Sequence, residues 1–463
     1  MKSFDTAEKN SNVYLDLAAN GNGNEKAMFV LEALSRLKAS GTNAVDVIEV
    51  GPGGGAALGS ITDAYRSDTA SLLPTDISMS FLELDGIESE SLRAARAQFA
   101  GLGKTDHVKG DARDMASLFP ARADVVAASA VLHEVYSYGS GYEGVDQTLQ
   151  AVAETVKPNG YFAYRDVFSV ENESQHERKR HIYDKEGWVL FAKQFLPYYL
   201  ANATHPYHHE DDKVVFEQDS MRVLAEGIDP KKYLSISAPV GVLRELQRHY
   251  ITLRDFCWRE GALGVSPVLE GPLASDWLDI KKGSKRVYYK SDDSVLDDNL
   301  LEVLSEDAAD GYKVVDGDTF DSTTDAELGR FLHRVMNEDE AAVDVWNKWL
   351  SREGSETYVY MTIGRLLGSM AMRSLEVTDG RRLLVPERLS DVLVIQRRYY
   401  NRYLQQQLSN PLPDAKQLIL FKSIDVREDT EGVANAMDVL TEHSTRETIS
   451  RIYGPIRKAK GAK

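Results

Sequence analysis

The stretch "DVIEVGPGGGAALG", residues 46–59, decides the fold of the N-terminal part of the chain. Its first residues are apolar and β-branched, which is typical of a buried strand, and they end at a turn that begins with Gly51 and Pro52. The next segment, "AALGSITDAYRS", has the composition of a helix. A strand, a glycine turn and a helix start together form a site at which backbone N–H groups can face a ligand.

The glycines fit two motifs, and the turn alone leaves both open. Gly51, Gly53 and Ala56 satisfy the dinucleotide pattern G-x-G-x-x-A, which is a weak signal by itself and would indicate a nicotinamide enzyme. The second pattern, E-x-G-x-G-x-G, begins at Glu49 and is completed by Gly55. The segments that follow distinguish between these two interpretations.

Strands and helices alternate on both sides of the glycine turn. This alternation predicts an α/β fold over residues 25–170, a Rossmann-like, doubly wound and mostly parallel sheet with helices on both faces. The strands are predicted at 44–50, 78–85, 123–132 and 161–168, and helices at 24–39, 89–103 and 145–160.

Four segments follow the glycine motif in a fixed order: "FLELDG", "VKGDARDM", "ADVVAASAVLHEV" and "VKPNGYFAYRDV". With the glycine motif, they resemble the class I S-adenosylmethionine (SAM)-dependent methyltransferases over roughly residues 25–170, about a third of the chain. The resemblance implies a Rossmann-like core that binds SAM as its cofactor, and a methyltransferase activity.

The same resemblance assigns the residues that hold the methionine end of the cofactor. Gly51, Gly53 and Gly55 would let the backbone lie against the methionine moiety and the ribose. Glu49 would receive the amino group through a charge-assisted hydrogen bond, directly or through water.

Carboxylates further along the chain are assigned to the nucleoside. Asp85 is the preferred acceptor for both ribose hydroxyls, since a carboxylate has two acceptor oxygens. Gly55 and Asp85 are 30 positions apart, more than the roughly 20 usual between a glycine motif and its ribose carboxylate, so Glu83 stays an alternative. Asp111 would accept from the adenine amino group, with the backbone of Ala112 beside it.

Candidate catalytic residues lie in "AVLHEVYSYGSGYEG", directly after the fourth strand. Ligands of open α/β sheets bind outside the carboxyl ends of the strands, so this segment should border the methyl acceptor. His133 is predicted as general base because imidazole titrates near neutrality, with Glu134 as the alternative and Tyr136 within reach of a substrate. The structural alternative is that His133 only packs and orders the loop.

Composition restricts the class of partner. The chain has 54 Lys and Arg against 72 Asp and Glu, a net charge of −18, which argues against nucleic acid and anionic membranes. The acceptor is therefore expected to be a small molecule, methylated on an O or N atom. The single cysteine, Cys257, lies in an aromatic helical segment and is interpreted as a core residue. One cysteine and no apolar run of about 18 residues predict a cytoplasmic protein.

The remainder of the chain is predicted to be large and mainly helical. The expected sections are a SAM-binding core with an N-terminal helical cap at 1–175, an aromatic-rich helical lid or acceptor region at 176–270, and an α+β region at 271–463 that could support a homo-oligomer. Finer predictions are a linker at 264–276, strands at 356–364 and 417–424, a long helix at 390–409, and a polar loop rather than a metal site at 204–212.

Two further functional alternatives stay open from sequence. One is an enzyme that binds SAM but transfers another group, and the other is a non-catalytic SAM-binding interaction module.

Overall fold

The structure is a computed structural model. Its described residues form two compact units: the first lies within Met1–Glu171, Met361–Val392 and Lys416–Lys463, the second within Asn172–Tyr360 and Leu393–Ala415. These units are bounded differently from the sequence sections 1–175, 176–270 and 271–463, and the functions expected of those sections stay predictions. The structure describes residues 23–87, 89–120, 122–168, 175–268, 286–292, 301–391, 403–404, 407–412 and 415–461.

The N-terminal part of the first unit alternates strands with helices. The turn residue Gly55 caps the helix that follows the first strand, and the side chain of Ser89 accepts from Leu92 N–H to cap a later one. The elements are β1 (Ala44–Val50), β2 (Asp76–Glu83), β3 (Lys104–Lys109), β4 (Ala123–Ser129), β5 (Val156–Phe168), α1 (Gly23–Ala39), α2 (Ala56–Arg66), α3 (Glu90–Phe99), α4 (Met115–Leu118), α5 (Leu132–Tyr138) and α6 (Tyr142–Thr155).

The second unit combines helices with two four-stranded sheets around an aromatic core. In that core the rings of Trp188 and Tyr250 stack with centroids 3.8 Å apart. The elements are β6 (Arg178–Tyr183), β7 (Val215–Gln218), β8 (Met221–Val223), β9 (Leu234–Pro239), β10 (Val265–Pro267), β11 (Arg286–Ser291), β12 (Glu306–Asp307), β13 (Lys313–Asp316), α7 (Glu186–Asn202), α8 (Val240–Arg259), α9 (Leu301–Leu304), α10 (Gly317–Met336) and α11 (Glu340–Arg352).

The C-terminal part of the chain returns to the first unit and extends its sheet. Leu418 and Leu420 of the last strand belong to the same core as the strands of the N-terminal part, and Phe421 stacks on Phe162 of β5 with ring centroids 5.7 Å apart. The elements are α12 (Ile363–Glu376), β14 (Arg382–Asp391), β15 (Ala415–Asp425), α13 (Thr430–His443) and α14 (Arg446–Gly461).

The seven strands of this sheet have the order β14-β15-β5-β4-β1-β2-β3. Strand β1 pairs in parallel with both β2 and β4, β2 with β3, and β4 with β5, whereas β14 and β15 are antiparallel. The chain runs outward from β1 to β3 and then crosses to β4 on the other side. The sheet therefore has its topological switch point between β1 and β4, where a ligand crevice is expected at the carboxyl ends.

The predicted alternation over residues 25–170 and the mostly parallel Rossmann-like sheet are confirmed. Strand 417–424 is confirmed as part of β15. Part of the predicted linker, 269–276, and most of the predicted helix 390–409 lie outside the described residues. No helix among the described residues is long and apolar enough to span a membrane.

Two local predictions in the second half of the chain are wrong. Residues 178–183, predicted to be helical, form β6, where the exposed Arg180 and Ile182 alternate with the buried His181 and Tyr183. Residues 356–364, predicted as a strand, do not form one, and Ile363 already begins α12. Their backbone is satisfied by side chains instead: Val359 N–H donates to Glu245 (2.6 Å), and the Tyr207 hydroxyl donates to Val359 O (2.6 Å).

Candidate cofactor and active site

The glycine turn after β1 has a conformation that favours glycine. Gly51 and Gly53 have φ values of +61° and +54°, in the left-handed region. A Cβ on Gly51 would lie 2.7 Å from a methyl group of Val131, so the turn packs closely against the segment after β4. A Cβ on Gly53 would meet nothing within 4 Å. The turn is thus closed on one side by packing and open at Gly53.

A cavity of about 350 Å³ lies at this edge of the sheet. Its wall comes from the segments that follow the carboxyl ends of β1, β2, β3 and β4, which is the place expected for a ligand of this topology. Of the predicted site residues, the cavity brings together Gly51, Gly53, Asp111, Ala112 and Glu134.

Glu49 is buried at the end of β1, and its Oε2 has no hydrogen-bond partner among the described residues. Burial raises its pKa to about 7; the nearby Lys26 opposes this shift and Glu83 adds to it. Glu49 borders a smaller cavity of about 10 Å³, room for roughly one water molecule. Lys26 and Ser129 belong to the walls of both cavities. A buried carboxyl group without a partner is a candidate for binding a cation.

The structure places the two candidate nucleoside carboxylates, Glu83 and Asp85, differently. Glu83, the last residue of β2, lies on the cavity wall and accepts hydrogen bonds from Leu84 N–H (2.9 Å) and Gly53 N–H. Burial raises its pKa to about 7, with Glu134 contributing. Asp85 is exposed, accepts from Gly86 N–H and is not part of the cavity wall. We therefore propose Glu83 as the ribose acceptor in place of Asp85, which the turn after β2 directs to solvent.

Asp111 and Ala112 lie where the sequence expected them, after β3 and on the cavity wall. Asp111 caps the short 3₁₀ turn Ala112–Asp114 and holds the guanidinium of Arg113 through both carboxylate oxygens (2.9 and 2.7 Å). Burial raises the pKa of Asp111, but the hydrogen bonds and charge of Arg113 outweigh it, so the net shift is downward. Asp111 therefore stays ionised at neutral pH.

The sequence did not single out Asp166, the partner of His133. The Nδ1 of His133 lies 2.8 Å from Asp166 Oδ1, and its backbone N–H donates to Oδ2 (3.3 Å). The two residues come from α5 and β5. Ala130, between β4 and α5, has φ +59°, a strained value for alanine that turns the chain sharply towards His133. The only sequence signal for Asp166 was a carboxylate at the end of the fifth strand.

The remaining predicted residues fall in different places. Glu134 lies on the cavity wall, but Tyr136 is buried and packs edge-on against Tyr142, with ring centroids 5.0 Å apart. Cys257 is buried in the core of the second unit, and burial raises the pKa of its thiol far above the ordinary value. In the loop 204–212, His205 stacks on His208, with centroids 4.1 Å apart.

Comparison with known proteins gives a family match to part of the first unit. Residues 48–164 match the family model described as a methyltransferase domain. No curated protein sequence matches the chain. Similar solved structures include the trans-methyltransferase CalH in complex with S-adenosylhomocysteine (SAH), at 19% identity over 30% of this chain and 35% of that chain, with a TM-score of 0.23.

Two further solved structures are similar in part. One is an O-methyltransferase family protein from Burkholderia thailandensis, at 14% identity over 51% of this chain and 62% of that chain, TM-score 0.27. The other is the O-methyltransferase NcsB1 from neocarzinostatin biosynthesis, at 20% identity over 37% of this chain and 46% of that chain, TM-score 0.26. The chain covers about a third of CalH and less than two thirds of either other protein.

The family match, which spans the glycine turn and the first five strands, identifies residues 48–164 as a class I SAM-dependent methyltransferase domain. Its cofactor is SAM. The residues present fit this group: an unpartnered buried carboxyl at Glu49 suits the cofactor's ammonium, Glu83 suits the ribose diol, and the open side of Gly53 leaves room for the ligand.

Substitution of Gly53 tests the cofactor cradle. Gly53→Arg should abolish measurable SAH binding in calorimetry, because the side chain would extend into the open space beside the turn. Gly41→Arg is the matched control, since Gly41 also has a positive φ (+93°) and open space but lies away from the cavity. Equal SAH affinity of both variants would contradict this location of the cofactor.

The choice of ribose carboxylate is tested by two substitutions. Glu83→Gln should weaken SAH binding by about 1.5–3 kcal/mol, the range for a hydrogen bond to a charged group. Asp85→Asn should leave the affinity unchanged because its side chain faces solvent. The reverse result would restore Asp85 as the ribose ligand.

Affinity for SAH should rise with pH between 6 and 8. Glu49 and Glu83 both have a pKa of about 7 and accept the cofactor's hydrogen bonds as carboxylates. From pH 7 to 6 the ionised fraction of each falls roughly fivefold, and the affinity falls with it. Folding stability changes with pH in the opposite direction. The raised pKa values of Glu49 and Glu83 favour the folded state at low pH, and this contribution to the free energy of unfolding is lost as the pH rises from about 4.5 through 7.

Calorimetry with SAH across this pH range measures the effect. Glu49→Gln should make the profile shallower, whereas Asp85→Asn, which changes an exposed carboxylate, should leave it intact. An affinity that is constant from pH 6 to 8 would contradict the assignment of both carboxylates.

Proposed function

We propose that this protein uses SAM to methylate an O or N atom of a small-molecule acceptor. The observation that carries the proposal is the pair formed by His133 and Asp166. Glu134, the next residue of the same helix, lies on the wall of the cofactor cavity. When bound, SAM supplies an electrophilic methyl group on a positively charged sulfur. The chain must then align the acceptor and remove its proton.

The cofactor-binding residues orient the methyl group without reacting. The backbone at Gly51 and Gly53 accommodates the ligand, Glu49 accepts from its ammonium and Glu83 accepts from its ribose hydroxyls. Asp111 and Ala112 also lie on the cavity wall, and we assign the adenine to them. These contacts hold the cofactor at fixed points along the sheet edge, which restricts the direction of the methyl group.

Proton removal is assigned to His133. In this proposal the Asp166 carboxylate accepts from Nδ1–H of His133, and this contact holds the imidazole in the tautomer that can take up the acceptor's proton. Burial raises the pKa of Asp166. The charge of His133 and the hydrogen bonds from His133 and Val167 N–H outweigh this effect, so the net shift of the pKa is downward. An ionised Asp166 stabilises the imidazolium that forms when His133 takes up the proton.

A small-molecule acceptor is supported by the net charge of −18, which opposes binding to nucleic acid. Acceptor recognition by the aromatic-rich region 176–270 stays a proposal from sequence; the aromatic rings of this region that the structure describes as buried pack into the core of the second unit. The cytoplasmic location and self-association are likewise proposals, based on composition alone.

Mass spectrometry of a small-molecule extract incubated with the protein and methyl-labelled SAM tests the activity. At least one metabolite should gain the labelled methyl group with the wild-type protein and none with Gly53→Arg. If SAH binds normally and no metabolite is labelled, the protein is a SAM-binding interaction module or transfers another group, and the proposal fails.

The role of His133 is tested once a labelled acceptor is available. His133→Asn should lower kcat by about 10²–10⁴-fold, the usual contribution of a general base, and leave SAH affinity unchanged. Asp166→Asn should lower kcat in the same direction, because it removes the acceptor that fixes the imidazole tautomer. A large loss of kcat in Glu134→Gln together with normal turnover in His133→Asn would assign the base to Glu134.

A further inference from the structure

Two cavities lie in the methyltransferase domain, and of the charged residues that the structure describes, Lys26 alone borders both. It lies in the first turn of α1, where a Cβ on Gly23 would be 2.7 Å from Ala56 O. Helix α1 therefore begins directly against the start of α2, the helix that follows the glycine turn. Ala27 and Val30 bury the adjacent face of α1 in the core. The fold thus fixes the position of Lys26 beside the turn.

The surroundings of Lys26 do not fully balance its charge. Burial lowers the pKa of its ammonium group, and Arg165 lowers it further, while Glu49 and Glu25 oppose the shift. The Glu25 carboxylate is already paired with the Arg165 guanidinium at 3.1 Å. Arg165 also donates to Ser129 Oγ (3.3 Å). An additional negative charge near Lys26 would therefore be favourable.

The other charged residues of the large cavity do not provide an equivalent cationic site. Arg113 is held by both carboxylate oxygens of Asp111, on the side assigned to the adenine. Glu83 and Glu134 are acidic and would repel a carboxylate. A ligand carboxylate near the glycine turn would therefore be attracted to Lys26, next to the carboxyl of Glu49.

We propose that Lys26 binds the α-carboxylate of the cofactor while Glu49 receives its α-ammonium, so that the two side chains together recognise the zwitterionic end of SAM. This inference rests on the proposed function, since it assumes that SAM occupies the cavity. It adds a specificity: nucleosides and sulfonium compounds without the carboxylate should bind the full-length protein more weakly.

Calorimetry with SAM and with decarboxylated SAM, which lacks only the carboxylate, tests this assignment on the full chain. The wild-type protein should prefer SAM by roughly tenfold or more, as expected for a lost charge-assisted hydrogen bond. Lys26→Met should remove this preference by weakening SAM binding and leaving decarboxylated SAM unaffected. Lys38→Met is the matched control, because Lys38 lies in the last turn of the same helix and contacts Asn43.

Equal binding of the two compounds by the wild-type protein would overturn the inference, as would a preference for SAM that persists in Lys26→Met. If Lys26→Met does not fold, the wild-type preference and its retention in Lys26→Arg decide the question. A wild-type protein that binds neither compound would overturn the proposed function itself, which is distinguishable from a failure specific to Lys26.

Discussion

The parallel pairing of the sheet continues one residue beyond β1, β3 and β4, and the site depends on that continuation. Gly51 N–H donates to Leu82 O (2.9 Å), Gly110 N–H donates to Glu83 O (2.9 Å), and Ala130 N–H donates to Arg165 O (2.8 Å). Each bond holds the first residue after a strand to its neighbour before the chain turns away. At Gly51 and Ala130 the turn takes a positive φ, so both segments leave the sheet abruptly. The cavity is the space between these diverging segments.

The same edge concentrates carboxyl groups that burial makes costly to ionise. Glu49 and Glu83 stand at the ends of adjacent strands, and the pKa of each is raised to about 7. Burial is the main cause in both; the negative charge of Glu83 adds to the shift of Glu49, and that of Glu134 to the shift of Glu83. A buried carboxyl without a full set of partners destabilises the ligand-free state once it is ionised. A cationic, hydroxyl-bearing ligand supplies the missing donors, so the energetic defect of the empty site contributes to affinity. The geometry is thereby suited to a sulfonium nucleotide rather than to a pyrophosphate.

The sequence predicted those parts of the structure that depend on local pattern. The strand, glycine turn and helix around Gly51 are local, and so is the alternation of elements through β5. The choice between Glu83 and Asp85 depends on where a turn directs two side chains, which composition does not encode. The pairing of His133 with Asp166 joins residues 33 positions apart, and it becomes visible only when β4 and β5 lie side by side. The strand prediction for 356–364 was wrong, because the buried backbone of Val359 is satisfied by the side chains of Tyr207 and Glu245, far away in sequence.

After the second unit the chain returns to the first unit, and the strands added there extend the methyltransferase domain beyond its family match. The family match ends at residue 164, yet β15 lies beside β5 in the same sheet. Leu418 and Leu420 fill the core on one side of the sheet, and Phe421 stacks on Phe162 on the other. Without β15 these apolar surfaces would face water and β5 would become an open edge. Arg388 of β14 also pairs with Glu32 of α1 at 2.6 Å, the helix that carries Lys26. The matched segment is therefore not self-sufficient: the residues that hold the cofactor depend on strands supplied from the opposite end of the chain.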